Sequence, residues 1–316
     1  MRRDIMRRLA VLVLLLAGLT LVAQAQELRL PNKEGSLKFA VIGDSGQPST
    51  GQTAVAKQMA SWRTRFPFEF ALMTGDNLYG SESPRDYENK FSIPYKPLID
   101  AGVKFYAALG NHDDDGQTQY KLFNMGGKKY YSFKPQNGVR FFAIDTNYVD
   151  AKQLEWLAKE LAASGSDWKI VFFHHPLYSS GATHGSADLQ RALLEPVFLK
   201  YGVNVAMMGH EHFYERIKPQ KGVAYFVIGS SSKLRKGDLR KSALTASGND
   251  SDYAFMLVEI DRDEMYFQAI NDKGMTIDTG SIRRIGKAEP TPDGTTQPVV
   301  PQAKPSPVQP GPTQQK

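Results

Sequence analysis

Apolar positions in this chain fall in short bursts rather than long stripes. Residues 37–42, 68–73, 103–108, 139–144, 170–173 and 203–208 form apolar runs too short for a helix, rich in Val, Ile and aromatics, each followed by Gly, Asp, Asn or His. Such runs predict buried strands. Between several of them lie helical patterns, as in residues 151–163, where Leu154, Leu157 and Leu161 share one face. Strand–helix alternation argues for an α/β sheet early in the chain. The later runs, 223–228, 253–260 and 265–270, lie closer together and predict antiparallel strands. No linker interrupts the stretch, so residues 26–286 are expected to be one domain.

The two ends depart from this pattern. Arg2, Arg3, Arg7 and Arg8 precede an apolar run over residues 9–22, followed by Ala23-Gln24-Ala25. That arrangement predicts an export signal, residues 1–25, cleaved after a small-x-small site. The run is shorter than the roughly 20 residues that span a bilayer, so no stable membrane insertion is expected after cleavage. A secreted or periplasmic location follows. Residues 287–316 hold eight of the eighteen prolines and no aromatic, Leu or Ile. Such a tail is expected to stay disordered, because it has too little apolar surface to offset its ordering entropy.

Composition narrows the chemistry by what it lacks. The 316 residues include no cysteine, which excludes disulfides, iron–sulfur clusters and thiol nucleophiles. Any metal must be held by His, Asp, Glu, Asn or Tyr. The formal charge of +6 offers little support for a nucleic-acid partner, since residues 1–25 contribute +3 of it.

The six histidines then stand out. His112, His174, His175, His210 and His212 follow predicted strands closely, and His184 lies ten residues beyond His174. Asp44 follows the first strand, Asp76 the second and Asn111 the third. Open α/β sheets place their sites outside the carboxyl ends of the strands, so these side chains are expected to converge on one crevice. Imidazole with carboxylate and amide oxygen suits zinc, manganese or iron. Two aspartates, an asparagine and three histidines exceed the needs of one tetrahedral ion. Two ions bridged by one carboxylate would use them all, and such a pair clamps the oxygens of an in-line displacement at phosphorus.

The blocks Gly43-Asp44-x-Gly46, Gly75-Asp76-x-x-Tyr79, Gly110-Asn111-His112-Asp113, His174-His175-Pro176 and Gly209-His210-x-His212 together resemble the motif series of calcineurin-like metallophosphoesterases. Tyr79, three residues after Asp76, is similar to the tyrosinate of the small purple acid phosphatases, the tartrate-resistant acid phosphatase type. The resemblance implies a four-layer α-β-β-α sandwich of two mixed β-sheets with flanking helices. It also implies a ferric site of Asp44, Asp76, Tyr79 and His212. A divalent site (Fe, Zn or Mn) would use Asp76, Asn111, His174 and His210, with Asp76 bridging. His112 would bind the phosphate or protonate the leaving alkoxide, His184 would be a second outer histidine at a slightly different offset, and His175 would lie behind a ligand or be structural. The implied activity is acid phosphatase hydrolysis of a small phosphate monoester or a phosphoprotein, with hydroxide produced at a metal attacking phosphorus. Alternatives are a phosphodiesterase or nucleotide pyrophosphatase on the same scaffold, or a non-catalytic binding protein. The segment between Asp145 and the 151–163 helix is short, so the protease-sensitive repression loop of the animal enzymes is not expected. The basic loop at residues 233–241 reads either as an aid to anionic substrate or as a solvated charged loop.

Overall fold

In a computed structural model the described residues are 27–284; the expected export signal, residues 1–25, and the expected disordered tail, residues 287–316, lie outside them. Thirteen strands among these residues form two mixed sheets. The first has the order β13-β12-β11-β1-β2-β3, with β1 (Leu37–Ile42), β2 (Phe70–Met73) and β3 (Lys104–Ala107) parallel. On the other side of β1, the strands β11 (Ala254–Asp261), β12 (Glu264–Asn271) and β13 (Thr276–Arg283) run antiparallel to their neighbours. The second sheet has the order β10-β8-β9-β7-β6-β5-β4. Its parallel centre is β5 (Val139–Ala143), β6 (Trp168–Phe172), β7 (Val205–Met208) and β9 (Val223–Ile228). Antiparallel β4 (Tyr131–Gln136) flanks one side; β8 (Tyr214–Gln220) and β10 (Thr245–Asn249) flank the other. One expectation is corrected here: β9 pairs parallel to β7 as well as antiparallel to β8.

Strand periodicity explains the layers. Phe141, Ile170, Phe172, Val205, Met207 and Phe226 point into the space between the sheets, while Phe142, Val171, Phe173, Ala206, Met208 and Val227 point outward. Successive side chains alternate faces, and both faces are covered, so these strands read as largely apolar runs, interrupted by Arg140 in β5 and Lys169 in β6. Aromatic edges lock the two sheets together: Phe39 meets Phe141 edge-on at 5.1 Å, and Phe226 meets Phe267 at 5.0 Å. Each such buried ring contributes about 1.5–3 kcal/mol. Outside the second sheet, Leu157 and Leu161 of the Ala151–Ala163 helix and Leu194 and Phe198 of the Asp188–Tyr201 helix close a separate cluster.

Two helices also tether loops at the carboxyl ends of the strands. The Thr50–Arg63 helix, capped by Ser49 accepting from Gln52 N, uses the Gln52 amide to donate to Ser45 O at 2.6 Å, one residue past Asp44. Gln153 brackets Asp145, donating to its O at 2.9 Å and accepting from its N at 2.8 Å. These contacts connect helix packing to the loops that carry the polar residues.

Candidate metal centre

Three loops of the first sheet and two of the second meet at one place. Asp44 and Asp76 adopt left-handed backbone conformations, at φ 51° and 52°, as does His210 at φ 70°. Each costs roughly 1–2 kcal/mol for a residue with a side chain, and such conformations cluster at functional sites. The turns also require close approach: a Cβ on Gly110 would sit 2.2 Å from Asp76 Oδ1, and Gly75, at φ 94°, lies against the His174 ring.

The side chains form two adjoining groups. In the first, Tyr79 Oη lies 3.0 Å from Asp44 Oδ1 and 3.3 Å from His212 Nε2. The ligand atoms of Asp44, Asp76 and His212 all lie within 4.8 Å of one another. In the second, His174 Nε2 is 3.0 Å from Asn111 Oδ1, 3.0 Å from His210 Nδ1 and 3.3 Å from Asp76 Oδ1. Asp76 therefore stands between the groups, and the structure brings together all seven residues singled out as ligands.

Their electrostatics call for a cation. His174 Nδ1 faces the carbonyl of Thr74 at 3.1 Å, and a carbonyl can only accept, so that nitrogen carries the proton. Burial, then the neighbouring His175, holds His174 well below the ordinary histidine value, so the ring is neutral and its Nε2 presents a lone pair. That lone pair faces two oxygen acceptors, an arrangement favourable only around a positive ion. Asp44 is fully buried, and burial followed by the charge of Asp76 pushes its carboxyl well above the usual range. Burial, with Asp44 and Asp76, also drives the Tyr79 phenol far upward. His212 is lowered to about 4, by burial and then by Arg235 and Lys233. Nitrogen and hard oxygen donors around uncompensated buried carboxylates fit zinc, manganese or iron.

His112 and His184 sit on the rim. His112 is exposed, its N–H donates to Asp76 Oδ1 at 3.0 Å, and its ring lies 4.8 Å from that of Tyr79. The His184 ring lies 4.2 Å from that of His210, while its Nδ1 is 3.6 Å from Glu211 Oε2. His175 turns away to Thr146 Oγ1 at 3.0 Å, and Thr146 Oγ1 in turn accepts from His175 N at 3.0 Å.

Sequence reasoning missed the supports beneath the cluster. Asp113 accepts N–H donors from Asn77 N, Asn77 Nδ2, Leu78 N, Gly110 N and Gln117 Nε2, fixing the Asp76 and Asn111 turns together. Burial and the charge of Asp76 push its carboxyl up to about 8, and the backbone donors pull the other way. Its place in the Gly110–Asp113 block was the only signal. Glu211 was equally visible, in the turn between His210 and His212, and equally unassigned.

A family description, calcineurin-like phosphoesterase, matches residues 37–214, more than half of the chain. The protein belongs to that family. Purple acid phosphatase 17 of Arabidopsis thaliana is 29% identical over 283 residues, covering 75% of this chain and 82% of its own. Tartrate-resistant acid phosphatase type 5 of Homo sapiens is 27% identical over 294 residues, covering 77% and 89%. Among solved structures, purple acid phosphatase PPD1 from yellow lupin superposes with a TM-score of 0.67 at 20% identity, over 81% of this chain and 55% of that one. GAP50, described as the anchor in the inner membrane complex of Plasmodium, gives 0.70 at 22% identity, over 80% and 90%. The four-layer sandwich is thus shared, and family and relatives together support a phosphoester hydrolase that depends on metal ions.

Proposed function

We propose that this protein is an exported acid phosphatase that hydrolyses phosphate monoesters at a centre of one ferric and one divalent ion. The observation that carries this reading is the Tyr79 hydroxyl, set against both Asp44 and His212 beside the shared carboxylate of Asp76. A phenol pushed upward by burial and two carboxylates stays protonated unless a strongly Lewis-acidic ion displaces its proton. Ferric iron is such an ion. Asp44, Asp76, Tyr79 and His212 would hold it; Asp76, Asn111, His174 and His210 would hold zinc, manganese or ferrous iron. Bound there, the pair supplies Lewis acidity toward the phosphoryl oxygens and acidifies water.

The chain's own groups then do the rest. Thr74 O fixes the His174 tautomer, and the His112 N–H fixes the orientation of Asp76. His112, exposed at the rim, donates its proton to the leaving oxygen as the P–O bond breaks. His184 borders the phosphate from the His210 side. No helix among the described residues is long and apolar enough to cross a membrane.

Rates for p-nitrophenyl phosphate and bis(p-nitrophenyl) phosphate across the acid-to-neutral range test the reading. The monoester is expected to be favoured by roughly tenfold or more in kcat/KM, with its optimum on the acid side. A preference for the diester would move the protein to the phosphodiesterases, and no hydrolysis of either would point to a binding role.

A further inference from the structure

The wall of the site beside His212 is made of two loops that the chemistry above leaves largely unused. Residues 181–185 carry His184, and residues 233–241 carry Lys233 and Arg235. The loops are fastened to each other. Ala182 N donates to Asp238 O at 2.8 Å, Thr183 Oγ1 to Asp238 Oδ1 at 2.5 Å, and Arg240 N to Ser180 O at 3.0 Å. Both are also fastened to the histidine turn. Gly185 N donates to the buried Glu211 Oε1 at 2.6 Å, and Arg235 N donates to His212 O at 3.1 Å. A Cβ on Gly181 would lie 2.1 Å from Glu211 Oε1, so the first loop packs directly on that carboxylate.

Two cations on this wall stand next to the cluster. Lys233 Nζ lies 3.9 Å from the centroid of the Tyr79 ring, whose hydroxyl reaches Asp44. Arg235 Nη1 lies 3.7 Å from Glu211 Oε2 and 3.6 Å from Asp238 Oδ2. Those distances balance charge but exceed hydrogen-bond length, and Nη1 has no hydrogen-bond partner among the described residues. A merely solvated loop cation would not be tied to a buried acid and a histidine turn. Nη1 is buried against those carboxylates, so the donors left for a phosphate are Nε and Nη2. These make no hydrogen bond among the described residues, on a side chain that stays 31% exposed, and their paired geometry matches two phosphate oxygens.

We propose that Lys233 and Arg235 form an anion subsite adjoining the metal centre, so that preferred substrates carry a second phosphate beside the one removed. The subsite rests on the phosphatase reading above. Glu211 is its positioning residue: it touches no substrate, but it holds both loops and aims Arg235. Binding energy gathered on the second phosphate lowers KM, and where it aligns the scissile bond it also raises kcat.

Steady-state kinetics of the mature full chain, at fixed ionic strength, with p-nitrophenyl phosphate and inorganic pyrophosphate test the proposal. Wild-type protein should show the lower KM for pyrophosphate. Arg235→Gln and Lys233→Gln should each reduce kcat/KM for pyrophosphate roughly 10- to 100-fold, mainly through KM, against about threefold for the monoester. Arg235→Lys should restore part of the loss, and Glu211→Gln should mimic Arg235→Gln. A folding defect would lower kcat for both substrates alike. Equal losses on both substrates, or no KM advantage for pyrophosphate in the wild type, would overturn the subsite while leaving the phosphatase intact. Cleavage of neither substrate would instead overturn the phosphatase reading, and calorimetric binding of pyrophosphate, weakened in both Gln variants or not, would then decide the subsite.

Discussion

Asp76→Asn is expected to deplete the site of both metal ions and to lower phosphatase turnover by about three orders of magnitude or more. The carboxylate lies between the two ligand groups, with Oδ1 3.3 Å from His174 Nε2 and its ligand oxygen within 4.8 Å of those of Asp44 and His212. Asparagine keeps the shape, and an amide oxygen can still accept the His112 N–H, so the fold should survive. What disappears is the negative charge that the two proposed cations would share in a buried site, where charge interactions are least screened. Metal analysis of the purified variant beside its turnover checks this. Two metals per chain with near-normal rates would remove Asp76 from the bridging position.

The second large effect is expected at His112, where replacement by alanine should leave the metals bound and cut kcat by about 10²–10⁴-fold. Its contact with Asp76 is made by the backbone N–H, which alanine retains, while the exposed ring is lost. If the ring protonates the leaving oxygen, the loss should shrink for p-nitrophenyl phosphate, whose leaving group needs little protonation. Parallel kcat measurements on alkyl and nitrophenyl esters separate the roles. An equal loss on both would assign His112 to holding the phosphate instead.

The parts legible in the sequence were those whose physics is local. Strands buried on both faces announce themselves as apolar runs followed by polar residues, as in β7 and in residues 170–173, which begin after Lys169 inside β6. Outside these parallel centres β11 and β12 were still legible, but other strands were harder. β10 reads Thr-Ala-Ser-Gly-Asn and is half exposed. β4 and β8 each contain a proline, Pro135 and Pro219, at a break in register that a sequence pattern takes for the end of a strand. β9 misled differently, because its short spacing from the preceding strand hid its parallel pairing with β7. At the site, Asp44, Asp76, Asn111 and the histidines could be named in advance from their places after predicted strands, and Tyr79 from the family resemblance. Asp113 and Glu211 could not, since their work is to accept hydrogen bonds from loops distant in sequence. The basic loop at residues 233–241 could be seen, but only the fold distinguishes Lys233, over the Tyr79 ring, from the exposed Lys236.

The measurement closest to the central claim is the visible absorption spectrum of the purified protein, taken with its iron and divalent-metal content, for the wild type and Tyr79→Phe. Tyrosinate on ferric iron gives a broad charge-transfer band, so the wild type should be coloured and contain iron plus a second metal. The phenylalanine variant should lose the band while keeping both metals and much of its activity, because Asp44, Asp76 and His212 still surround the position proposed for ferric iron. A colourless iron-loaded wild type, or a variant with the same band, would contradict a tyrosinate–iron centre.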